Sequence, residues 1–234
     1  MAIGLKLRNL LFLIHTVSPE RAQPHLPAGL ELDVYPTPAG PRAFLATVVL
    51  EAGPAFPYVM TGFRQINYRL YVRHGEQAGI LYLRSWVSSR AAAAAMSLAI
   101  PTEHASVRLQ IEDHPVPYSQ YRVEGRSGEH VLKAEAAAAD QFDCGPFAHA
   151  EEAIHFLTHR LAGFASGAHP KGGLSIVRVT HPPMQPMPAR VQWLRSDQWV
   201  ESGLLSPEEV QRPLLALIQP EIEFDMNLPE KLDS

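Results

Sequence analysis

The segment Arg64–Arg73 constrains the fold of this chain more than any other stretch of its sequence. Apolar and polar side chains alternate along it, which is the pattern of a β-strand with one face in a hydrophobic core. One face carries Ile66, Tyr68, Leu70 and Val72, and the other carries Gln65, Asn67, Arg69, Tyr71 and Arg73. This second face is either a solvated outer surface or the wall of a polar pocket, and the function depends on which.

The rest of the sequence predicts a mainly β, α+β fold around this strand. Glycines at both ends of Gly75–Gly79 predict a turn, so that Arg64–Arg73 and Gly79–Val87 form an antiparallel hairpin. An alanine-rich stretch predicts a helix over Ser88–Ile100, which Pro101 ends. Further strands are expected at Leu10–Thr16, Leu30–Tyr35, Ala43–Leu50, Ala105–Glu112, Tyr118–Glu124, Glu129–Ala138, Leu174–Thr180, Ala189–Leu194 and Leu214–Phe224, with a second long helix at Ala150–Ala162.

Length and composition narrow the class of protein. A chain of 234 residues without an evident linker is expected to form a single domain, residues 1–234. The net charge of −4 without a basic block argues against nucleic acid as a partner. Cys144 is the single cysteine, so we expect no disulfide framework and a cytoplasmic location. The absence of a long apolar stretch argues against a membrane partner.

The polar face of the central strand is the best candidate for a binding site. Asn67, Arg69 and Tyr71 offer planar or directional donors that can hold a carboxylate or a carbonyl group. If Arg69 points inward it needs a partner, because an unpaired buried charge is unfavourable. That partner is either an anionic ligand or a carboxylate of the chain such as Glu103, and composition alone does not separate these two interpretations.

Two further groups of residues have possible chemistry. Glu103 and His104, just after Pro101, are candidate acid–base residues, although a polar turn explains them more simply. His155 and His159, four residues apart, match the spacing of metal ligands on one helix face. A solvated helix face is the favoured interpretation of that pair, so we predict neither a metal site nor a cofactor.

Several short motifs, taken in order, resemble one family. They are Leu11-Phe12-Leu13, Leu26–Asp33, the Asn67-x-Arg69-x-Tyr71-Val72 strand, Gly79-Ile80, Ile100-Pro101, Phe156-Leu157-Thr158-x-Arg160 and His181-Pro182-Pro183. Together they resemble the YqjF-like domain-of-unknown-function branch of the acetoacetate-decarboxylase-like superfamily. This resemblance implies a large antiparallel β-barrel with a few flanking helices and a small-molecule cavity inside, into which the polar face of the central strand points.

The resemblance also bears on chemistry. In acetoacetate decarboxylases, a lysine after a Gly-aromatic-Pro step forms a Schiff base with a keto acid. The corresponding step here is Ala99–Glu103, and Thr102 occupies the lysine position, so Schiff-base decarboxylation is not expected. The chain also departs from closer relatives at Gln65, Trp86 and Met184, which suggests a different ligand.

The leading hypothesis is therefore a barrel that binds a small carboxylate- or carbonyl-bearing molecule, such as a keto acid. Arg69 would anchor the anion, Asn67 and Tyr71 would orient it, and Arg84 or Arg160 would supply a second positive group. The sequence leaves open whether a reaction follows binding. One alternative is a lyase or hydratase that uses Glu103 and His104 as acid and base, and another is a non-catalytic protein-interaction module; a homo-oligomer is compatible with each.

Overall fold

The structure is a computed structural model that describes residues 2–53, 62–166 and 173–232. Its strands are β1 (Ala2–Val17), β2 (Glu31–Leu32), β3 (Tyr35–Thr37), β4 (Gly40–Ala52), β5 (Phe63–His74), β6 (Gln77–Val87), β7 (Thr102–His104), β8 (Ser106–Glu112), β9 (Gln120–Ser127), β10 (His130–Ala138), β11 (Ala162–Ser166), β12 (Leu174–Thr180), β13 (Met187–Ser196), β14 (Leu215–Asn227) and β15 (Glu230–Lys231). Its α-helices are α1 (Pro19–Ala22), α2 (Arg90–Met96), α3 (Ala150–Thr158), α4 (Asp197–Glu201) and α5 (Pro207–Val210), with a 3-10 turn at Gln23–His25.

Seven strands form a closed ring, in the order β12–β11–β6–β5–β4–β1–β14. The ring closes because Val179 and Thr180 of β12 pair with Met226 and Asp225 of β14. Within the ring, β6 and β11 run parallel and the other neighbours run antiparallel. The mainly β barrel with a few flanking helices, which the family resemblance implies, is thereby confirmed, but the parallel pairing of β6 with β11 makes its sheet mixed and not wholly antiparallel.

Four more strands, β13–β10–β9–β8, continue from β14 and form a second layer. Residues of this layer such as Tyr121 and Leu132 share one hydrophobic core with Ile66 and Tyr68 of β5. Because side chains of a strand alternate between its two faces, the other face of β5 points into the ring. There it shares a second core with side chains such as Phe44 of β4.

Two helices close over the inner core. Helix α2 buries Ala92 and Ala93, and its first turn is capped by the Ser89 hydroxyl, which accepts a hydrogen bond from the backbone N–H of Ala92. Helix α3 buries Ala153 and Leu157 against the same core. The two helices thereby pack against the interior of the ring rather than against the second layer.

Most predicted strands are present with shifted ends, but the predicted strand Leu30–Tyr35 is replaced by the short strands β2 and β3, which pair with β5 and β4. Both long helices are shorter than predicted. Helix α2 covers Arg90–Met96 instead of Ser88–Ile100, and α3 stops at Thr158 instead of Ala162. The residues after α3 pair as β11 with β12, because sheet hydrogen bonding there competes successfully with a continued helix. The sequence also predicts a loop rich in proline and glycine over Gly53–Gly62, and this segment lies mostly outside the described residues. Among the described helices, none has the length and apolar character to cross a membrane.

Candidate ligand-binding site

Three buried polar side chains form a hydrogen-bonded cluster on the inner face of β5 and β6. The amide nitrogen Nε2 of Gln65 donates to Oδ1 of Asn67 at 2.7 Å and to Oγ of Ser85 at 2.8 Å. The Ser85 hydroxyl donates to the same Asn67 oxygen at 2.9 Å. Asn67 and Ser85 are cross-strand partners, so the ladder itself brings these groups together. The cluster leaves the Asn67 amide nitrogen without a hydrogen bond to any described residue.

Arg69 lies next to this cluster, two residues further along β5. Its guanidinium carbon is 5.5 Å from the centroid of the Tyr82 ring, the cross-strand partner on β6. Its Nε is buried and has no hydrogen-bond partner in the described part of the chain, and no described carboxylate is within ion-pair distance of the side chain. Arg69 is thus a partly buried cation that lies against an aromatic ring and that no described carboxylate neutralises.

A glycine on β11 makes room for the Tyr82 ring. A Cβ atom at position 163 would lie 2.6 Å from Cε2 of Tyr82, closer than real contacts allow. Gly163 pairs with Ile80 in the parallel ladder between β11 and β6, which places it beside Tyr82. The absence of a side chain at Gly163 therefore allows the Tyr82 ring to lie in this position, beneath the guanidinium of Arg69.

Tyr71 points into the ring as predicted, but its hydroxyl is already engaged. The hydroxyl donates to the backbone carbonyl of Leu157 in α3 at 2.8 Å, and the ring stacks on Phe156. Burial raises the pKa of Tyr71 to about 12, so the phenol stays protonated. These contacts give Tyr71 a role in joining α3 to the barrel.

Arg160 is likewise engaged by the protein. It forms a buried ion pair with Asp33 and donates from Nε to the carbonyl of Phe156 at 2.7 Å. Its guanidinium carbon is 4.2 Å from the Phe156 ring centroid and 5.0 Å from that of Tyr71. The site does not need a ligand to neutralise this cation, because Asp33 does so.

Arg84, Glu103 and His104 are not gathered around Arg69. A β-bulge opposite Tyr68 and Arg69 turns Arg84 to the outer face, where it is a partly buried ion-pair partner of Glu103 at 3.4 Å. Glu103 and His104 are consecutive in β7, so their side chains point to opposite faces, and His104 is exposed. The structure thus does not bring this candidate acid–base pair together.

Thr102, which precedes Glu103, is on the inner face. It is aligned with Ser85 in the parallel ladder between β6 and β7, and the Ser85 backbone N–H donates to the Pro101 carbonyl at 2.8 Å. The Thr102 hydroxyl is buried and has no hydrogen-bond partner among the described residues. The family resemblance, which aligns Thr102 with the lysine of acetoacetate decarboxylases, is the signal that points to this position, since a single threonine after a proline is otherwise common in turns.

The predicted histidine pair packs side by side at the C-terminal end of α3, with His155 in the helix and His159 directly after its last residue. The rings of His155 and His159 are 5.0 Å apart, and His159 contacts His181 at 5.5 Å between ring centroids. Partial burial lowers the pKa of both His159 and His181, so neither favours the charged form. In the ranges that the structure describes, no group of three His, Cys, Asp or Glu residues has the geometry of a metal site.

The family of this chain follows from a match over most of its length. A family model described as an uncharacterized conserved protein, DUF2071, matches residues 5–222. The chain belongs to the DUF2071 family. No curated protein matches it at a significant level.

Solved structures of acetoacetate-decarboxylase-like proteins share the fold of this DUF2071 chain. An acetoacetate decarboxylase-like enzyme from Sphingomonas wittichii RW1 superposes with a TM-score of 0.65 at 12% identity, covering 100% of this chain and 93% of that one. Acetoacetate decarboxylase from Legionella pneumophila gives 0.64 at 12% identity, covering 99% and 87%. The enduracididine biosynthesis enzyme MppR, complexed with pyruvate, gives 0.61 at 12% identity, covering 98% and 90%. The resemblance to the superfamily inferred from sequence motifs is confirmed, and at these identities the likeness concerns the fold.

Proposed function

We propose that this protein binds a small carboxylate-bearing molecule inside the ring, with Arg69 as the anion anchor. The observation that carries the proposal is the Nε of Arg69 above the Tyr82 ring, which is buried and has no hydrogen-bond partner among the described residues. A guanidinium in such a place is unfavourable without a counter-charge, whereas two parallel N–H···O bonds to a carboxylate would satisfy it.

Asn67 is the second ligand-binding residue in this proposal. Its Oδ1 accepts hydrogen bonds from Gln65 and Ser85, which fixes the orientation of the side-chain amide. The free amide N–H groups can then donate to an oxygen of a ligand bound at Arg69. Preorganised donors of this kind cost little ordering entropy on binding.

The shared fold supports the same class of ligand. MppR, which has the same fold, has been solved with pyruvate, a small carboxylate. Among the described lysines, Lys6 and Lys133 pair with Glu221 and Glu124, and Lys231 is an exposed residue of β15. A Schiff-base reaction therefore has no support from the described lysines, and the proposal is limited to binding.

Thermal stabilisation by pyruvate and propionate, compared between the parent protein and Arg69→Met, tests the proposal. A ligand that binds only the folded state raises the melting temperature, and the stabilisation grows with the logarithm of the ligand concentration over Kd. We expect stabilisation of the parent and none of Arg69→Met. Arg84→Met is the matched control, because it removes an arginine from the adjacent strand on the outer face. Equal stabilisation of the parent and Arg69→Met would show that Arg69 does not bind the carboxylate of the ligand.

A further inference from the structure

The second layer ends in a strand edge to which no described strand is paired. Strand β8 is the last strand of the sheet, and its seven residues pair on one side with β9 in an unbroken register. On its other side, in the part of the chain that the structure describes, a row of backbone N–H and C=O groups has no pairing strand. Proteins commonly protect such an edge with a lysine, a proline or a bulge, and β8 contains none of these. This edge is therefore open to a further strand.

The side chains of β8 divide into a polar outer face and an apolar inner face. Arg108, Gln110 and Glu112 are exposed on the outer face. Leu109 and Ile111 lie on the inner face and are only partly buried against the hydrophobic core beneath the second layer. A strand added at this edge would therefore meet charged groups on one face and cover apolar surface on the other.

The two charged side chains of β8 have no ion-pair partner among the described residues. The residue opposite Arg108 on β9 is Glu124, but Glu124 forms its ion pair with Lys133 of β10 at 3.2 Å. The residue opposite Glu112 is the uncharged Gln120. One positive and one negative group at the edge are thus available to a partner.

The spacing of these charges makes the edge complementary to a second copy of itself. In an antiparallel pair related by a two-fold axis at Gln110, Arg108 of each copy lies opposite Glu112 of the other. Leu109 lies opposite Ile111 on the inner face in the same register. An axis at Arg108 or at Glu112 would instead place that charge opposite itself, which is unfavourable. Of the registers that keep the faces of the two sheets in line, only the one centred on Gln110 pairs the two charges.

We infer that this protein forms a symmetric dimer in which the β8 edges of two copies pair antiparallel about Gln110. The partner is a second copy of this chain, because the outer face of β8 complements its own charges when two copies pair in this register. The two second layers then form one continuous sheet, and each copy pairs with the outward backbone groups of the other. Arg69 is on β5 and outside this interface, so the dimer does not depend on the ligand proposed above.

Two charge reversals test this register. Arg108→Glu places two glutamates opposite each other at each end of the interface, and Glu112→Arg does the same with two arginines. Each variant alone should therefore dimerise more weakly than the parent, by about tenfold or more. An equimolar mixture of the two variants restores both opposite-charge pairs, so a heterodimer should form with an affinity close to that of the parent.

Sedimentation velocity of the full chain over a micromolar concentration series measures these equilibria, since a dimer has twice the 25.9 kDa mass of the chain. Arg190→Glu is the matched control, because it makes the same change of charge at an exposed position of β13, away from the edge. It should dimerise like the parent. The melting temperature of each variant shows that it is folded.

Amide hydrogen exchange locates the interface independently. The outward N–H groups of β8 should exchange more slowly as the parent concentration rises, and neither reversal alone should show this slowing. A parent that stays monomeric overturns the inference and leaves the edge to a strand of a different protein. A parent dimer that both reversals leave intact, a mixture that does not dimerise, or unchanged exchange in β8 also overturns it.

Discussion

The ring of Tyr82 lies beneath the guanidinium of Arg69, with the guanidinium carbon 5.5 Å from the ring centroid. The two residues are cross-strand partners on β5 and β6, and the contact is possible because Gly163 on β11 leaves space for the ring. A partly buried arginine is thus positioned by packing alone, which leaves its hydrogen-bonding groups available to a ligand.

Gly163→Ala should disturb the site through Tyr82. The new methyl group would lie 2.6 Å from the tyrosine ring, so the ring must move and carry Arg69 with it. We expect a loss of about 1–3 kcal/mol in the free energy of unfolding and a several-fold weaker affinity for carboxylates, measured by urea unfolding and by titration. Gly4→Ala is the control, since its Cβ would meet its nearest neighbour at an ordinary 3.5 Å. Unchanged affinity in Gly163→Ala would show that Tyr82 does not position Arg69.

Arg69→Met should make the unliganded protein more stable while removing binding. Within the described ranges, the Arg69 guanidinium has no carboxylate partner and its Nε is buried, and methionine fills similar space without desolvating a charge. We expect the free energy of unfolding to rise by about 1 kcal/mol, as is common when a functional residue is replaced. Urea unfolding without ligand measures it, and a clear loss of stability would indicate that Arg69 has a structural partner.

Breaking the ion pair between Arg160 and Asp33 should lower the free energy of unfolding, in contrast to the replacement of Arg69. Both side chains are largely buried, with 7% and 11% of their surface exposed. Asp33→Ala leaves the Arg160 charge unpaired, and we expect a loss of about 3–5 kcal/mol in the free energy of unfolding. The double variant Asp33→Ala/Arg160→Met should recover much of that loss.

A matched control for this pair is Glu103→Ala, which breaks the exposed ion pair with Arg84. Both of its side chains are more than a third exposed, so the expected change is below about 1 kcal/mol. A similar loss for Asp33→Ala and Glu103→Ala would show that burial does not distinguish the two pairs.

Much of the fold could be predicted from the alternation of polar and apolar side chains along the strands. Which residues of β6 face the candidate site, however, depends on a β-bulge. Alternation correctly predicted that Asn67 and Arg69 share one face, because residues i and i+2 of a regular strand point to the same side of the sheet. The same alternation puts Arg84 on the face of Tyr82 and Ser85 on the opposite face. The extra residue Leu83 reverses this, since the bulge turns Arg84 outward and Ser85 inward.

Other parts of the site depend on long-range contacts. Gly163 approaches Tyr82 only because β11 joins β6 in a parallel ladder, some 80 residues later in the chain. The same edge of β6 pairs with β11 at Ile80 and Leu81 and with β7 at Ser85–Val87. Thr102 of β7 therefore lies beside Ser85 and faces the same interior. Neither pairing has a local sequence signal, so the sequence predicted β5 and its hairpin partner β6 but not the strands that pair with the other edge of β6.

His15 should make the stability depend on pH. It is buried, its Nε2–H donates to the Val210 carbonyl at 2.9 Å, and burial lowers its pKa from 6.5 to about 4. Between these values the unfolded chain takes up a proton that the folded chain does not, so stability falls as the pH decreases from 6.5 to 4. The loss should reach about 3 kcal/mol, at 1.36 kcal/mol for each pKa unit. In His15→Gln, which can still donate to Val210, this part of the pH dependence should vanish; an unchanged profile would assign it to other groups.

Thr102→Lys should convert the site into one that forms an imine. A lysine there would place its amine on the inner face, near an oxo acid held by Arg69. The amine attacks the carbonyl carbon, water leaves, and added borohydride reduces the imine to a stable secondary amine, which mass spectrometry of peptides locates. We expect labelling at position 102 with pyruvate, much less in the Thr102→Lys/Arg69→Met double variant, and little in Thr180→Lys, whose lysine would be exposed. Equal labelling of all three variants would mean that lysine reactivity, and not a bound carboxylate, decides where the adduct forms.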